Sequence, residues 1–560
     1  MSKIFDIADE YVNKVAELSP LTATYLGISG RDDEMTDFSP ESAEASAELD
    51  RSTLSDLEVA EIESEQDRIA REAMTEEMRL SLDIHDAGEK LRELSVIHSP
   101  IHSIRMIFDL MPRDTEEHWN NIAARLNLVS QGLESFRSSL DEGIHRGKVV
   151  SKRQTIETAD QCLVWSGATE GQHSFFDGLL EVYDGSGIGS DSLRREIENG
   201  AQAANGAMVE MADYLKKTYA PHAEEKNAVG PDRYALAART FNGIDLDLNE
   251  TYLWGWEQLR WVNEEFIKTA ERILPGGTVE EAENLLETDP KRSIVGEEAF
   301  KDWMQELQDR TIDELNGTHF DIAEPVKRIE ALIAPPGGAL AMYYTPPSED
   351  FTRPGRTWYP TGGKTVFPIW GEVAIAYHEG VPGHHFQLAT TTHLSSQLSR
   401  FQRLLGGSSG YVEGWALYAE RLMAELGYLE NPDYYLGMLR AQALRSVRVI
   451  IDIGMHLELT IPSDEGFHPG ETWTPNLGQE FINLNRHGFP VEFMASEISR
   501  YLGLPGQAIS YKVGERVWRE AREQVRERQG SAFKLKDFHT HALNLGPMGL
   551  AQMKRELTRI

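Results

Sequence analysis

Between Tyr252 and Ile273 the apolar residues Tyr252, Trp256, Leu259, Phe266, Ala270 and Ile273 recur at spacings of three, four or seven, with Lys and Glu filling the gaps. That is the signature of a half-buried helix, and Leu274-Pro275-Gly276-Gly277 terminates it. The same periodicity dominates the chain. Ser39-Pro40-Glu41 reads as an N-cap with proline at the first helical position, and the acid-rich stretch from Asp32 to Glu89 reads as two or three exposed helices. One region departs from the pattern. Between Ile333 and Pro368, Ala334-Pro335-Pro336-Gly337-Gly338, Tyr343-Tyr344-Thr345-Pro346-Pro347 and Arg353-Pro354-Gly355-Arg356 exclude helix. This segment is expected to be extended chain and turn with a short β-ribbon, either a plain connection or a wall for a substrate cleft. The expected class is therefore mainly α. The chain reads as one large helical domain over residues 1–560, divisible near residue 240 into a helical lobe or lid (about 1–240) and a catalytic lobe (about 241–560).

Charge and cysteine narrow the function classes. Asp and Glu total 91 against 55 Lys and Arg, a net charge of −36, which repels nucleic acid and anionic membranes and leaves a solvated acidic surface as the simplest account. The single cysteine, Cys162, forms no intramolecular disulfide and no thiolate metal site, and beside Leu163 and Val164 it reads as an apolar filler. No run of 18 apolar residues occurs, and Met1-Ser2-Lys3-Ile4-Phe5-Asp6 lacks the basic and apolar pattern of a signal peptide, so a cytoplasmic location is expected.

Directly after the extended segment stands Tyr377-His378-Glu379-Gly380-Val381-Pro382-Gly383-His384-His385. Three histidines and a glutamate this close are hard to explain by packing. Metal hydrolases need imidazoles or carboxylates on the ion, an open position for water, and a carboxylate to take its proton. The usual helical solution places two histidines four apart on one face, but here Pro382 stands four after His378. On an ideal helix His385 returns to within about 20° of His378 while His384 lies far round. Pro382-Gly383 makes an ideal helix unsuitable, and a bulge would swing His384 to the ligand face. Spacing alone leaves His384 and His385 both open.

A third ligand is expected from another helix. Glu413 follows the loop Gly406-Gly407-Ser408-Ser409-Gly410, in the first turn of a new helix, and residues 413, 417 and 420 share one side. Glu420 is then placed to support a ligand from beneath.

His378-Glu379-x-x-Pro382-Gly383-His384-His385, the run Glu413-Gly414-Trp415-Ala416-Leu417-Tyr418, the opening Ser19-Pro20-Leu21-Thr22-Ala23-Thr24 and the later Gly506-Gln507-Ala508 with Tyr511-Lys512 resemble the bacterial family catalogued as domain of unknown function 885. More distantly, the pattern is similar to the Taq-type thermostable zinc carboxypeptidases and their glutamate-zincin relatives. The resemblance implies a helical zincin-like fold with a deep central cleft and zinc-dependent cleavage of peptide bonds. Aligning the Gly-His pair of the carboxypeptidase motif with Gly383-His384 leaves a two-residue insertion at Val381-Pro382 and favours His384 as second ligand.

The expected chemistry is metal-assisted hydrolysis of a peptide or small amide. One zinc ion sits on His378, His384 and Glu413, with manganese, cobalt or iron as alternatives, and Glu379 acts as general base. An oxyanion donor is sought at Tyr511 first and His456 second; Arg500, Tyr501 and Gln507 are candidates for holding the substrate. The competing readings are an amide hydrolase on non-peptide substrates and a non-catalytic metal- or peptide-binding protein.

Overall fold

A computed structural model describes residues 2–334 and 342–559. Helix makes up 67% and strand 5%, so the mainly α class holds. The chain forms two compact units, one of residues 1–63, 74–229 and 502–504, the other of 64–73, 230–501 and 505–560.

The first unit is a helical bundle. Its core is built from the inward stripes of helices such as Pro100–Leu110, Glu116–Asn127, Val129–His145 and Asp191–Tyr214, which bring Ile104, Phe108, Trp119, Leu126, Phe136, Leu140, Ile197 and Met208 together. Cys162 is wholly buried in this core, and burial pushes its thiol up to about 12, which makes it a filler. The Ser39 hydroxyl accepts from the Ser42 N–H and caps the helix Pro40–Val59; Glu65–Asp86 is the second helix of the acid-rich stretch.

The second unit carries the histidine motif. Helix α1 (Leu248–Ile273) is capped by Asp247, and Tyr252, Trp256, Leu259, Phe266 and Ala270 of its expected stripe are buried. Two small sheets follow. Strand β1 (Ser293–Val295) pairs antiparallel with β5 (Val366–Pro368), Ile294 opposite Phe367. In the other, β2 (Ile329–Ile333) runs parallel to β4 (Gly355–Tyr359), and β3 (Tyr343–Thr345) lies antiparallel on the far side of β4. The extended segment therefore contains genuine strands, while the expectation for Pro335-Pro336-Gly337-Gly338 lies outside the described residues. Helix α2 (Glu297–Leu315) packs on β2.

The remaining elements build the site: α3 (Glu372–Glu379), α4 (His384–His393), α5 (Ser409–Glu425), α6 (Pro432–Leu457), α7 (Val491–Gly503) and α8 (Ser510–Gln529). Helices α5 and α8 approach so closely that a Cβ on Gly414 would lie 2.3 Å from the Gly514 Cα. Both positions must therefore be glycine for Glu413 on α5 and Tyr511 on α8 to face the same space. Among the described residues no helix is long and apolar enough to cross a membrane.

Candidate metal centre

The motif helix is interrupted outright. α3 ends at Glu379, α4 starts at His384, and residues 380–383 turn between them with a cis Val381-Pro382 bond. The expected bulge is thus a complete break, because Pro382 offers no amide hydrogen and its ring excludes the preceding turn. Two side chains hold the break. Gln308 on α2 donates to the Ala376 carbonyl at 2.9 Å and receives the Val381 N–H at 3.4 Å. Trp415 on α5 donates its indole N–H to the carbonyls of Pro382 (2.8 Å) and Gly383 (3.2 Å). Gly383 has no alternative, since a Cβ there would sit 2.0 Å from the His378 carbonyl oxygen.

The result brings His384 beside His378, with ring centroids 4.8 Å apart and planes at 85°. The Nε2 atoms of His378 and His384 each lie 3.4 Å from the same oxygen, Oε2 of Glu413. That oxygen is buried and has no hydrogen-bond partner. One ligand atom from each of these three residues falls within 4.8 Å of the others. On its other side the His378 ring turns Nδ1 to Oε1 of Glu420 at 2.7 Å. In the neutral ring, an Nδ1–H donated to Glu420 leaves the Nε2 lone pair facing the shared space. Glu413 and Glu420, seven apart on α5, therefore face the two nitrogens of one imidazole. Glu413 stands one turn deeper than expected, because Ser408 caps the helix and Ser409 begins it.

The electrostatics follow from three carboxylates around buried imidazoles. Burial opposes protonation of His378, but Glu413, Glu420 and Glu379 outweigh it and hold the ring up to about 10. Burial also opposes ionisation of Glu413, and His384 and His378 overcome it, holding the carboxyl well below the usual range. Glu379 goes the other way. Burial raises its carboxyl, with Glu413 adding to the effect and His384, His378 and Arg445 working against it. Among the described residues no hydrogen bond or ion pair restrains the Glu379 carboxylate.

His385 lies elsewhere. Its Nδ1 meets the Tyr344 hydroxyl at 2.9 Å and its Nε2 the Val326 carbonyl at 2.7 Å, and burial pushes it down to about 4. Both nitrogens are engaged, tying α4 to β3 and to the 3-10 turn Glu324–Lys327 that precedes β2. Tyr511 does reach the group: its ring stacks on His378 at 6.4 Å and 22°.

The other expected residues are not brought to it. His456 spends Nε2 on the Tyr501 carbonyl at 3.0 Å and packs its ring on Tyr234, so the expected second oxyanion donor has no free N–H for substrate at that nitrogen. Tyr501 is wholly buried, its hydroxyl on Glu497 and Arg448. Arg500 donates to Glu497 at 2.9 Å and to Gln507 at 2.7 Å, so the expected substrate-holding trio is an internal polar network. The Glu497–Arg500 spacing of three was a readable sign of that pairing. Gln308 gave no signal on an ordinary amphipathic helix, whereas arginines at 440, 445 and 448 within the mostly apolar run 436–453 did.

The chain is similar in fold to a protein of Colwellia psychrerythraea (TM-score 0.80, 20% identity, covering 100% of this chain and 99% of that one). It is also similar to one of Shewanella oneidensis (TM-score 0.73, 17% identity, 98% of each chain). Each is described as a "putative lipoprotein". These descriptions overturn the cytoplasmic expectation, which rested on the lack of an 18-residue apolar run and of a leader pattern at the first residues. No curated protein matches the chain. The family model of bacterial proteins of unknown function, DUF885, matches residues 20–557, and the chain belongs to that family.

Proposed function

We propose that the second unit is a metal-dependent hydrolase of peptide bonds, with zinc as the metal and a carboxypeptidase-like mode of action. The observation that carries the reading is the Glu413 oxygen shared at 3.4 Å by two imidazole nitrogens, with a closed hydrogen bond to neither. A charge-assisted N–H···O bond would close to about 2.7–2.9 Å. Two ligands about 2.0–2.1 Å from a tetrahedral zinc stand about 3.3–3.4 Å apart. The donor set of two imidazoles and a carboxylate also suits zinc, and the same set is open to manganese, cobalt or iron. A zincin-like arrangement around a substrate cleft belongs to the same proposal.

When bound by His378, His384 and Glu413, the ion supplies a water acidified to about pKa 7. The protein does the rest. Glu420 fixes the His378 ring through Nδ1. Glu379, buried and unrestrained, accepts a proton at its carboxylate from the attacking water and returns it to the leaving amine nitrogen. Tyr511, stacked on His378, is the donor to the carbonyl oxygen of the bond being cut. A buried carboxylate without a partner is costly, which a binding-only site has no reason to retain.

The test is a panel of free and blocked peptides and simple amides, with metal measured on the same protein. Peptide cleavage that falls by about a hundredfold or more in Glu379→Gln at unchanged metal content is the expected outcome. Full hydrolysis in Glu379→Gln refutes the mechanism, cleavage of non-peptide amides alone refutes the substrate class, and one bound metal with no turnover refutes the enzyme.

A further inference from the structure

Helix α6 is mostly buried yet carries Arg440, Arg445 and Arg448. Each guanidinium needs a counter-charge or a compensating surface. Arg448 has one, with Nη2 2.7 Å from Oε2 of Glu497 and Nε 3.0 Å from the Tyr501 hydroxyl. Arg440 lies over Trp370 and Phe489 at 4.4 and 4.5 Å, with Glu287 at 3.9 Å. Arg500, on α7, is held by Glu497 and Gln507.

Arg445 has neither. Among the described residues no carboxylate is within ion-pair distance and no hydrogen bond engages its guanidinium, and its Nε is buried without an acceptor. It is half-buried, with its guanidinium carbon 5.3 Å from the centre of the Tyr511 ring. Tyr511 in turn stacks on His378, so the free cation stands one ring away from the candidate metal centre. Its charge is felt by both Glu379 and Tyr511.

A planar fork of N–H donors without an internal acceptor matches a carboxylate. A chain of net charge −36 otherwise repels such a group, so a local cation is required to receive it. We propose that Arg445 anchors a carboxylate of the substrate beside the metal centre, from either the peptide C-terminus or an acidic side chain next to the bond being cut. The proposal rests on the hydrolase reading for what is bound, while the anchoring itself is measurable without turnover.

The experiment is calorimetric titration of the full-length, metal-loaded protein with two ligand pairs. N-acetyl-leucine against its amide isolates a terminal carboxylate, and N-acetyl-glutamate amide against N-acetyl-glutamine amide isolates a side-chain one. In the wild type, one carboxylate ligand should bind on the order of tenfold to a hundredfold tighter than its neutral partner. The pair that responds identifies the source. Arg445→Gln should bring that ratio to about one while leaving the neutral ligand's affinity unchanged, and Arg445→Lys, which keeps charge without the fork, should restore part of it. Absence of discrimination in the wild type overturns the proposal. So does a ratio that survives Arg445→Gln, or equal losses for charged and neutral ligands. Peptide hydrolysis on the same samples separates the two readings: discrimination without cleavage refutes the hydrolase and keeps the anchor, and cleavage without discrimination does the reverse.

Discussion

Replacing Glu420 by glutamine removes a charge without changing shape at the point that orients His378. Glu420 is wholly buried, the imidazole is 4% exposed, and Nδ1 and Oε1 are 2.7 Å apart, so the contact is a desolvated, charge-assisted hydrogen bond. Such a carboxylate fixes the tautomer and makes the opposite nitrogen a better ligand, and its loss from comparable sites weakens metal binding about tenfold to a hundredfold, or about 1.4–2.8 kcal/mol. Glu420→Gln is therefore expected to raise the zinc dissociation constant by that factor, read by competition with a chromophoric chelator. Glu420→Ala is expected to weaken binding at least as much and to lower folding stability by about 1–3 kcal/mol, because Nδ1–H is left buried without an acceptor. Zinc affinity within twofold of wild type in both variants would refute the reasoning, since His378 would then not be a ligand oriented through Nδ1.

The adjacent histidines should separate cleanly. His384→Ala should lose metal, whereas His385→Asn should keep it and lose about 1–3 kcal/mol of stability, because it breaks the contacts to Tyr344 and Val326; metal content by mass spectrometry and a denaturation curve decide. Gly383→Ala forces a methyl to 2.0 Å from the His378 carbonyl, so loss of metal binding or of the fold is expected, and a variant with normal metal content and melting temperature contradicts the packing. The pH dependence of stability has a contributor at Asp452, where burial raises the carboxyl to about 7 although Tyr234 and the Gly506 N–H pull it down. The folded value lies above the ordinary 3.8 of an aspartate, so the folded protein holds a proton that the unfolded chain releases. The stabilisation is complete below about 3.8 and is lost as pH rises through about 7. Asp452→Asn should flatten the fall in denaturation midpoint across that window, and an unchanged slope contradicts the assignment.

What the residues alone disclosed was local. Helical spacing placed Glu413 and Glu420 on one side of α5, and the structure turns both toward His378. The proline at 382 announced an irregularity, but whether a bulge or a break followed depended on Gln308 and Trp415, which are remote in sequence from the motif. The choice between His384 and His385 was hidden for the same reason, since Tyr344 and Val326 claim one of the two. Arg500 misled most. A residue type that binds carboxylates does not say whether its carboxylate is already inside the protein, and Glu497 had taken Arg448 and Arg500 while Arg445 was left over.

Anomalous scattering at the zinc edge from a zinc-soaked crystal tests the centre most directly. One strong peak is expected about 2.0–2.2 Å from Nε2 of His378, Nε2 of His384 and the Glu413 carboxylate. A peak on His385, or none between these three side chains, would contradict it.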